Sequence, residues 1–331
     1  MGRRFVALVF LSIGIVVVSF VLTHIVPGNP ALANLGQNPT PSEIRTFDQR
    51  NGLDKPVPVQ LGLYFSHLVQ GDLGTSEQTG DSIVHELGQA IPATAELAIV
   101  SIVIALVFGV GFGLLAALRR DGITDFASRV LSLVGVSVPT FWLALISLYF
   151  LFFKLGIFPG GSRLSPNDVA PPHITGMYTV DALLTGRWST FWDALQHVLL
   201  PAIILAAWNL GMLTRYTRSA VLEVVEQDYI RSARAKGLPR RSIVFGHILR
   251  AALPSIVTVV GLVFANVLTG AVLVENIFSW PGLGQYAYQS STALDLPAIA
   301  GVSLFIAVVY VVVNFIVDVL YGVLDPRVRV Q

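Results

Sequence analysis

Residues 94–118 read TAELAIVSIVIALVFGVGFGLLAAL, an apolar run whose one charge, Glu96, stands near its start. A bilayer core about 30 Å thick is crossed by roughly 20 mostly apolar residues in a helix, because every backbone amide and carbonyl in lipid must be satisfied within the segment. The run meets that test and decides the class, an all-α membrane protein. Gly109, Gly111 and Gly113 within it would let another helix approach closely, which reads as bundle packing and not as a ligand site.

Outward from this run, comparable segments extend over Phe5 to Val26, Phe126 to Phe153, Val198 to Met212, Ala251 to Val274 and Ala298 to Tyr321, which makes six transmembrane helices in all. The segment from Val198 is the shortest and is expected to continue through Thr214 to Tyr216. Composition agrees: 54% of the 331 residues are hydrophobic and 12% charged, against about 25% charged in soluble domains, and mean hydropathy is +0.71. Pro139 should bend the third segment. Glu96, Arg129, Glu275 and Asp318 lie near span ends and are expected to snorkel toward the interface.

Lys and Arg set the orientation. Fifteen lie on one side (Arg3, Arg4, Arg119, Arg120, Arg129, Arg215, Arg218, Arg231, Arg234, Lys236, Arg240, Arg241, Arg250, Arg327 and Arg329), and six on the other, although the latter has the longer loops. Both termini are therefore expected to be cytoplasmic. The outside loops, about 27–92 and 156–197, are rich in Pro, Gly and Asp. Leu61, Leu63, Tyr64, Phe65 and Leu68 recur there at near-helical spacing, which predicts a short helix packed on the outer surface. With no linker and no internal repeat, residues 1–331 read as a single transmembrane domain. Arg3 and Arg4, an apolar run and Ala31-Leu32-Ala33 resemble a signal peptide, but the run spans about 22 residues where a signal core has 7 to 15.

Several chemistries are excluded. A net charge of +1 gives no basic face for nucleic acid. There is no cysteine, hence no disulfide framework or thiolate site. His85-Glu86-Leu87-Gly88-Gln89 lacks the second histidine of a zinc protease, and His24, His67, His173, His197 and His247 have no ligand spacing. No metal site and no catalytic residue is expected. An ion-coupled secondary transporter would show a mid-membrane ionisable cluster and repeat symmetry, and a membrane hydrolase a nucleophile with its base; neither is visible.

The most informative connection, about 217–250, contains VLEVVEQDYIRSARAKGLPRR at residues 221–241. On a helix Leu222, Val225, Tyr229 or Ile230, and Ala233 share one face, leaving Glu223, Glu226, Arg231, Arg234 and Lys236 mostly opposite. Gly237 suits the left-handed position that ends a helix, Pro239 blocks simple continuation, and a second helix starts at Arg240. A basic surface helix could attract anionic lipid. Glu223, Glu226 and Asp228 on the same helix, the small Ala233 and Ala235, and the glycine turn fit a docking element for a protein partner better.

Asp228-Tyr229-Ile230-Arg231-Ser232-Ala233-Arg234-Ala235-Lys236-Gly237 resembles the coupling-loop motif of bacterial ATP-binding-cassette importer permeases, with Arg231 where the family often has Glu. Further stretches are similar to the dipeptide, oligopeptide and nickel group, in the member with the larger first outside loop. They are residues 27–30 (PGNP, Asn29 replacing the usual Asp), 52–56 (GLDKP), 71–76 (GDLGTS), 138–142 (VPTFW), Glu275 through 281–284 (PGLG), and 325–329 (DPRVR). Pro254 is displaced from the general spacing. The resemblance implies a coupling site of Glu223, Asp228, Tyr229, Arg231, Ala233, Arg234, Ala235, Lys236 and Gly237. It implies a second homologous permease, two ATPase subunits or domains, an extracytoplasmic binding protein, and a bacterial inner membrane. ATP and Mg would be bound by the ATPases, since no GxxxxGK[ST] phosphate loop occurs in this chain. Peptides are the expected cargo, with nickel chelates, glutathione or haem as alternatives.

Overall fold

A computed structural model of the chain describes residues 40–51 and 54–324, with positions 13, 14, 16–18, 20 and 21 of the first apolar segment. Most of the first span, the stretches at 27–33, 52–53 and 325–329, the basic residues Arg3, Arg4, Arg327 and Arg329, and the side chain of Asp318 lie outside the described residues. Among the described residues all regular structure is helical, apart from a lone antiparallel bridge between Thr75 and Ser82.

The helices in chain order are α1 (Pro41–Asn51), α2 (Val57–Val69), α3 (Ile83–Leu118), α4 (Ile123–Ser137), α5 (Thr140–Ser147), α6 (Tyr178–Leu184), α7 (Trp188–Val225), α8 (Asp228–Ala235), α9 (Arg240–Ser242), α10 (Arg250–Ile277), α11 (Leu283–Ala293) and α12 (Leu296–Leu324). A π-wound segment, Leu148–Lys154, continues α5, and another, Ile243–Leu249, joins α9 to α10. Among the described residues four helices are long and apolar enough to cross a bilayer: Ile83–Leu118, Trp188–Val225, Arg240–Phe264 and Leu296–Ile316.

The third apolar segment departs from a single bent helix. α4 and the α5 helix meet at a 101° angle, so the pair forms either one broken span or a re-entrant loop. Val138 is extended (ψ 124°) and so is Pro139 (ψ 133°), because a proline disfavours the helical region for the residue before it and cannot donate its own amide. The Val198 segment also departs from expectation, since α7 runs 38 residues, about 57 Å at 1.5 Å per residue. Its polar ends escaped a reading that followed only apolarity.

The chain forms two compact units. One comprises the described residues of 1–91 with 282–312. In it Ile83, Leu87 and Ala90 of α3 cluster with Leu283 and Val302, and a Cβ on Gly301 would stand 2.7 Å from Ile83 Cγ2, so the helices are close. Asp295 starts α12: its Oδ1 accepts the Ala298 amide at 3.1 Å, an N-cap bond, while Oδ2 accepts from Ser76 Oγ and the Gln78 amide. α2 confirms the short helix expected in the first loop, and its Tyr64 ring lies 5.8 Å from that of Phe20.

The second unit holds 92–281 with the remainder of α12. α7 is its axis, packed on α4, α5, α6 and α10. Leu97, Ala105, Leu213, Val263, Val267, Phe278 and Trp280 belong to its main apolar core. α3 approaches α7 through glycines: a Cβ on Gly109 would lie 2.7 Å from Leu213 Cβ, and one on Gly113 would lie 2.6 Å from Thr217 Cβ, whereas Gly111 faces open space.

Candidate functional site

The element singled out by sequence is α8 with the turn that closes it. α7 ends at Val225, Glu226 caps it, and Gln227 is extended (ψ 145°) before Asp228 starts the eight residues of α8. The single amphipathic helix expected from 222 to Gly237 is thus two helices with a break at Glu226 and Gln227. Of the alternatives Tyr229 and Ile230, the structure buries Ile230 completely and leaves Tyr229 50% exposed. Ala233 joins Ile230 in a second core with Ala117, Val221, Ile243, Ile248, Ala252 and Ile256. Glu223, Asp228, Arg231, Arg234, Ala235, Lys236 and Gly237 are exposed.

Gly237 (φ +74°) closes α8 as anticipated. The Gly237 amide donates to the Arg234 carbonyl at 3.0 Å and the Leu238 amide to the Ala233 carbonyl at 3.3 Å. These are the two bonds of a Schellman closure, which satisfies carbonyls left over at a helix end. Pro239 then precedes α9, and the chain winds through the π segment into α10 without leaving helix. Pro254 falls inside α10.

Around α8 the helix ends are joined by charge. Asp125 of α4, fully buried, accepts two bonds from Arg218 of α7, from Nε at 2.6 Å and Nη2 at 2.9 Å. Such bidentate pairing fixes orientation as well as distance. Arg129 Nη2 stands 3.3 Å from the same carboxylate and is half exposed, so its head does reach outward. Arg120 Nη1 donates to Glu226 at 2.9 Å, which joins the end of α3 to the end of α7.

Glu96 and Glu275 do not snorkel. Glu96 is 2% exposed and accepts from Arg163 Nη2, from the Thr179 amide and from Thr179 Oγ1, each at 2.6 Å. Arg163 is itself buried, donates to the Gly176 carbonyl at 2.8 Å, and lies 3.6 Å over the Tyr178 ring. Burial of a charge in lipid is costly unless it is paired, and here the loop supplies the partner. Glu275 is fully buried and accepts from Thr94 Oγ1 at 2.7 Å. Sequence reasoning passed over Arg163 and Thr179. The lone charge in the 94–118 run was the available signal, because an ionised group there needs a cation from elsewhere.

Among the described residues no cluster of His, Asp or Glu could hold a metal ion.

Residues 109–330 match the family described as "Binding-protein-dependent transport system inner membrane component", and residues 1–98 match its N-terminal component. The probable D,D-dipeptide transport system permease protein DdpB of Escherichia coli K12 is 42% identical over 98% of this chain and 96% of its own length. The dipeptide transport system permease protein DppB of Alkalihalophilus pseudofirmus is 39% identical over 99% and 98%. A chain from inward-facing structures of the MetNI methionine ABC transporter superposes with a TM-score of 0.54 over 72% of this chain and 96% of that chain, at 17% identity, which is a likeness of fold. The chain belongs to the family of binding-protein-dependent transport system inner membrane components.

Proposed function

We propose that this chain is a permease subunit of an ATP-driven importer of short peptides. It pairs with a second, similar permease to enclose the path, crosses the bacterial inner membrane six times with both termini in the cytoplasm, and works as one functional unit. Two ATPase subunits, which carry ATP and Mg, dock on α8, and an extracytoplasmic binding protein delivers cargo to the loops at 27–92 and 156–197. Peptide as cargo follows from the dipeptide permeases that the chain resembles along its whole length.

The observation that carries the coupling assignment is α8 itself. It buries only Ile230 and Ala233 and presents Asp228, Tyr229, Arg231, Arg234, Ala235 and Lys236. Those two anchors sit in a core shared with α3, α7, the π segment and α10. A partner that pulls on the exposed face therefore pulls on three helices that are long and apolar enough to span. ATP binding favours one orientation of the helices only insofar as the docked ATPase binds the two states with different affinity.

The test is to purify the chain with its companion permease and ATPases, and to measure hydrolysis with and without loaded binding protein. Stimulated hydrolysis and peptide accumulation are expected. Accumulation of peptide in vesicles that lack any ATPase would overturn the reading.

A further inference from the structure

α2 contains no Asp, Glu, Lys or Arg. Its 13 residues, VPVQLGLYFSHLV at 57–69, stand between Asp54 and Lys55 on one side and Asp72 on the other. A helix without a charged face ordinarily lies buried, yet none of these residues is buried, and Val57, Val59 and Val69 are exposed. The composition belongs to α2 and not to the connection as a whole, since α1 carries Glu43, Arg45, Asp48 and Arg50. Several groups that would otherwise call for water are satisfied at home. Pro58 has no amide, and the Val59 and Gln60 amides donate to the Pro56 carbonyl at 2.8 and 3.1 Å. Gln60 Nε2 donates to the Lys55 carbonyl at 2.7 Å, and Ser66 Oγ accepts from Gln70 Nε2 at 3.1 Å. The Tyr64 ring lies 5.8 Å from that of Phe20, a residue six positions before the end of the first apolar segment at Val26. α2 therefore rests against the flank of that segment and not beyond its end.

We propose that α2 lies in the hydrocarbon of the leaflet nearest Val26, along the bilayer, with its outward face against lipid acyl chains. At 1.5 Å per residue it is about 20 Å long, too short to cross a core of about 30 Å. A helix held among the headgroups keeps a strongly charged polar face, which α2 lacks. Its outward face comprises Pro58, Val59, Gly62, Ser66 and Val69, all exposed. Protein interfaces are anchored by large aromatic or arginine side chains, and this face has none, whereas acyl chains need only a surface free of charge. Val18 and Val21, exposed beside Phe20 on the first segment, present lipid with the same kind of surface. Placed in this way, α2 tethers the connection at 27–92 to the bilayer and leaves the docking of a binding protein to the rest of that connection.

The chain has no cysteine, so a single nitroxide label can be placed on it without prior substitution. Val59→Cys and Val69→Cys test α2; Arg45→Cys on the charged α1 and Val107→Cys in the apolar run of α3, both exposed, serve as references for water and lipid. Each full-length variant is reconstituted into vesicles of phosphatidylethanolamine and phosphatidylglycerol, alone and assembled with the companion permease and ATPases. Power saturation of the spin signal is then measured with oxygen, which concentrates in hydrocarbon, and with a water-soluble nickel chelate. Labels at 59 and 69 should be relaxed by oxygen as strongly as the label at 107 and be indifferent to nickel, with the reverse at 45, in both preparations. Relaxation of 59 and 69 by nickel to the extent seen at 45 would overturn the proposal, because α2 would then stand in water. Shielding of both positions from both agents, in either preparation, would overturn it as well, because protein would then cover the face. Neither failure touches the importer reading, which is tested by hydrolysis and accumulation and not by the depth of α2.

Discussion

At the scale of the residue, Gly237 illustrates how conformation and space separate. Its φ of +74° is one that other L-residues resist, yet a Cβ there would meet nothing within 4 Å. Replacement should therefore cost about 1–2 kcal/mol through backbone hand alone, with Asn milder than Ala and Val the worst. Limited trypsin digestion reads this directly, with cleavage at Arg234 and Lys236 rising about 5- to 30-fold in Gly237→Val as the end of α8 frays. The Arg163 and Glu96 pair obeys a different rule. Arg163→Met leaves a buried, unpaired carboxylate and should cost about 3–5 kcal/mol in thermal unfolding. Adding Glu96→Gln, which keeps an acceptor for Thr179, should recover part of the loss.

Asp181 provides a pH signature in the connection at 156–197. Burial pushes its carboxyl up, but Thr175 Oγ1 and the amides of Thr175, Gly176 and Ile174 more than offset this and hold it below its ordinary value. A carboxylate depressed by folding contributes stability that is present in full above the unfolded value and lost as pH falls through the folded one. Asp181→Asn should therefore lower the thermal midpoint at neutral pH, and the difference from wild type should shrink below about pH 4. A constant difference across that range would remove the carboxylate from the explanation.

At the scale of the element, helix contacts follow small residues. Gly113→Ala would force a methyl group to within 2.6 Å of Thr217 Cβ and 2.7 Å of the Thr214 carbonyl oxygen, and should destabilise the protein by about 1–3 kcal/mol. Gly111→Ala, two residues away and in open space, should be close to neutral in the same thermal measurement. The sequence showed that these glycines bring helices together but not which of them do so, because a helix face has meaning only once a neighbour is placed. The same limit explains other differences. Apolarity located α10 and α12 well, since lipid imposes it on each residue separately, but it placed the start of α3 at Thr94 and left the turns from Ile83 in a loop. It missed the polar ends of α7, and it could not tell a bend at Pro139 from a 101° break, because the angle depends on what α4 and α5 pack against. In the coupling segment the periodicity placed Ala233 correctly and left Tyr229 and Ile230 tied. The break at Gln227, which decides between them, has no proline or glycine to announce it.

At the scale of the whole molecule, the membrane-spanning character and the family were legible from apolar runs and from short motifs in a fixed order. What joins the parts was not legible: Asp125 with Arg218, Arg120 with Glu226, and Glu96 with Arg163 are separated by 93, 106 and 67 positions in the chain. These links make the coupling account mechanical, since α8 rests on the core that receives α3, α7 and the start of α10. The account is tested most directly by binding-protein-stimulated ATP hydrolysis of the assembled importer carrying Tyr229→Asp. That side chain is half exposed and lies outside the Ile230 core, so the permease should fold as wild type does. The account predicts that the ATPases dissociate or that stimulation is lost while the permease remains intact; full assembly with undiminished, transport-linked hydrolysis would contradict it.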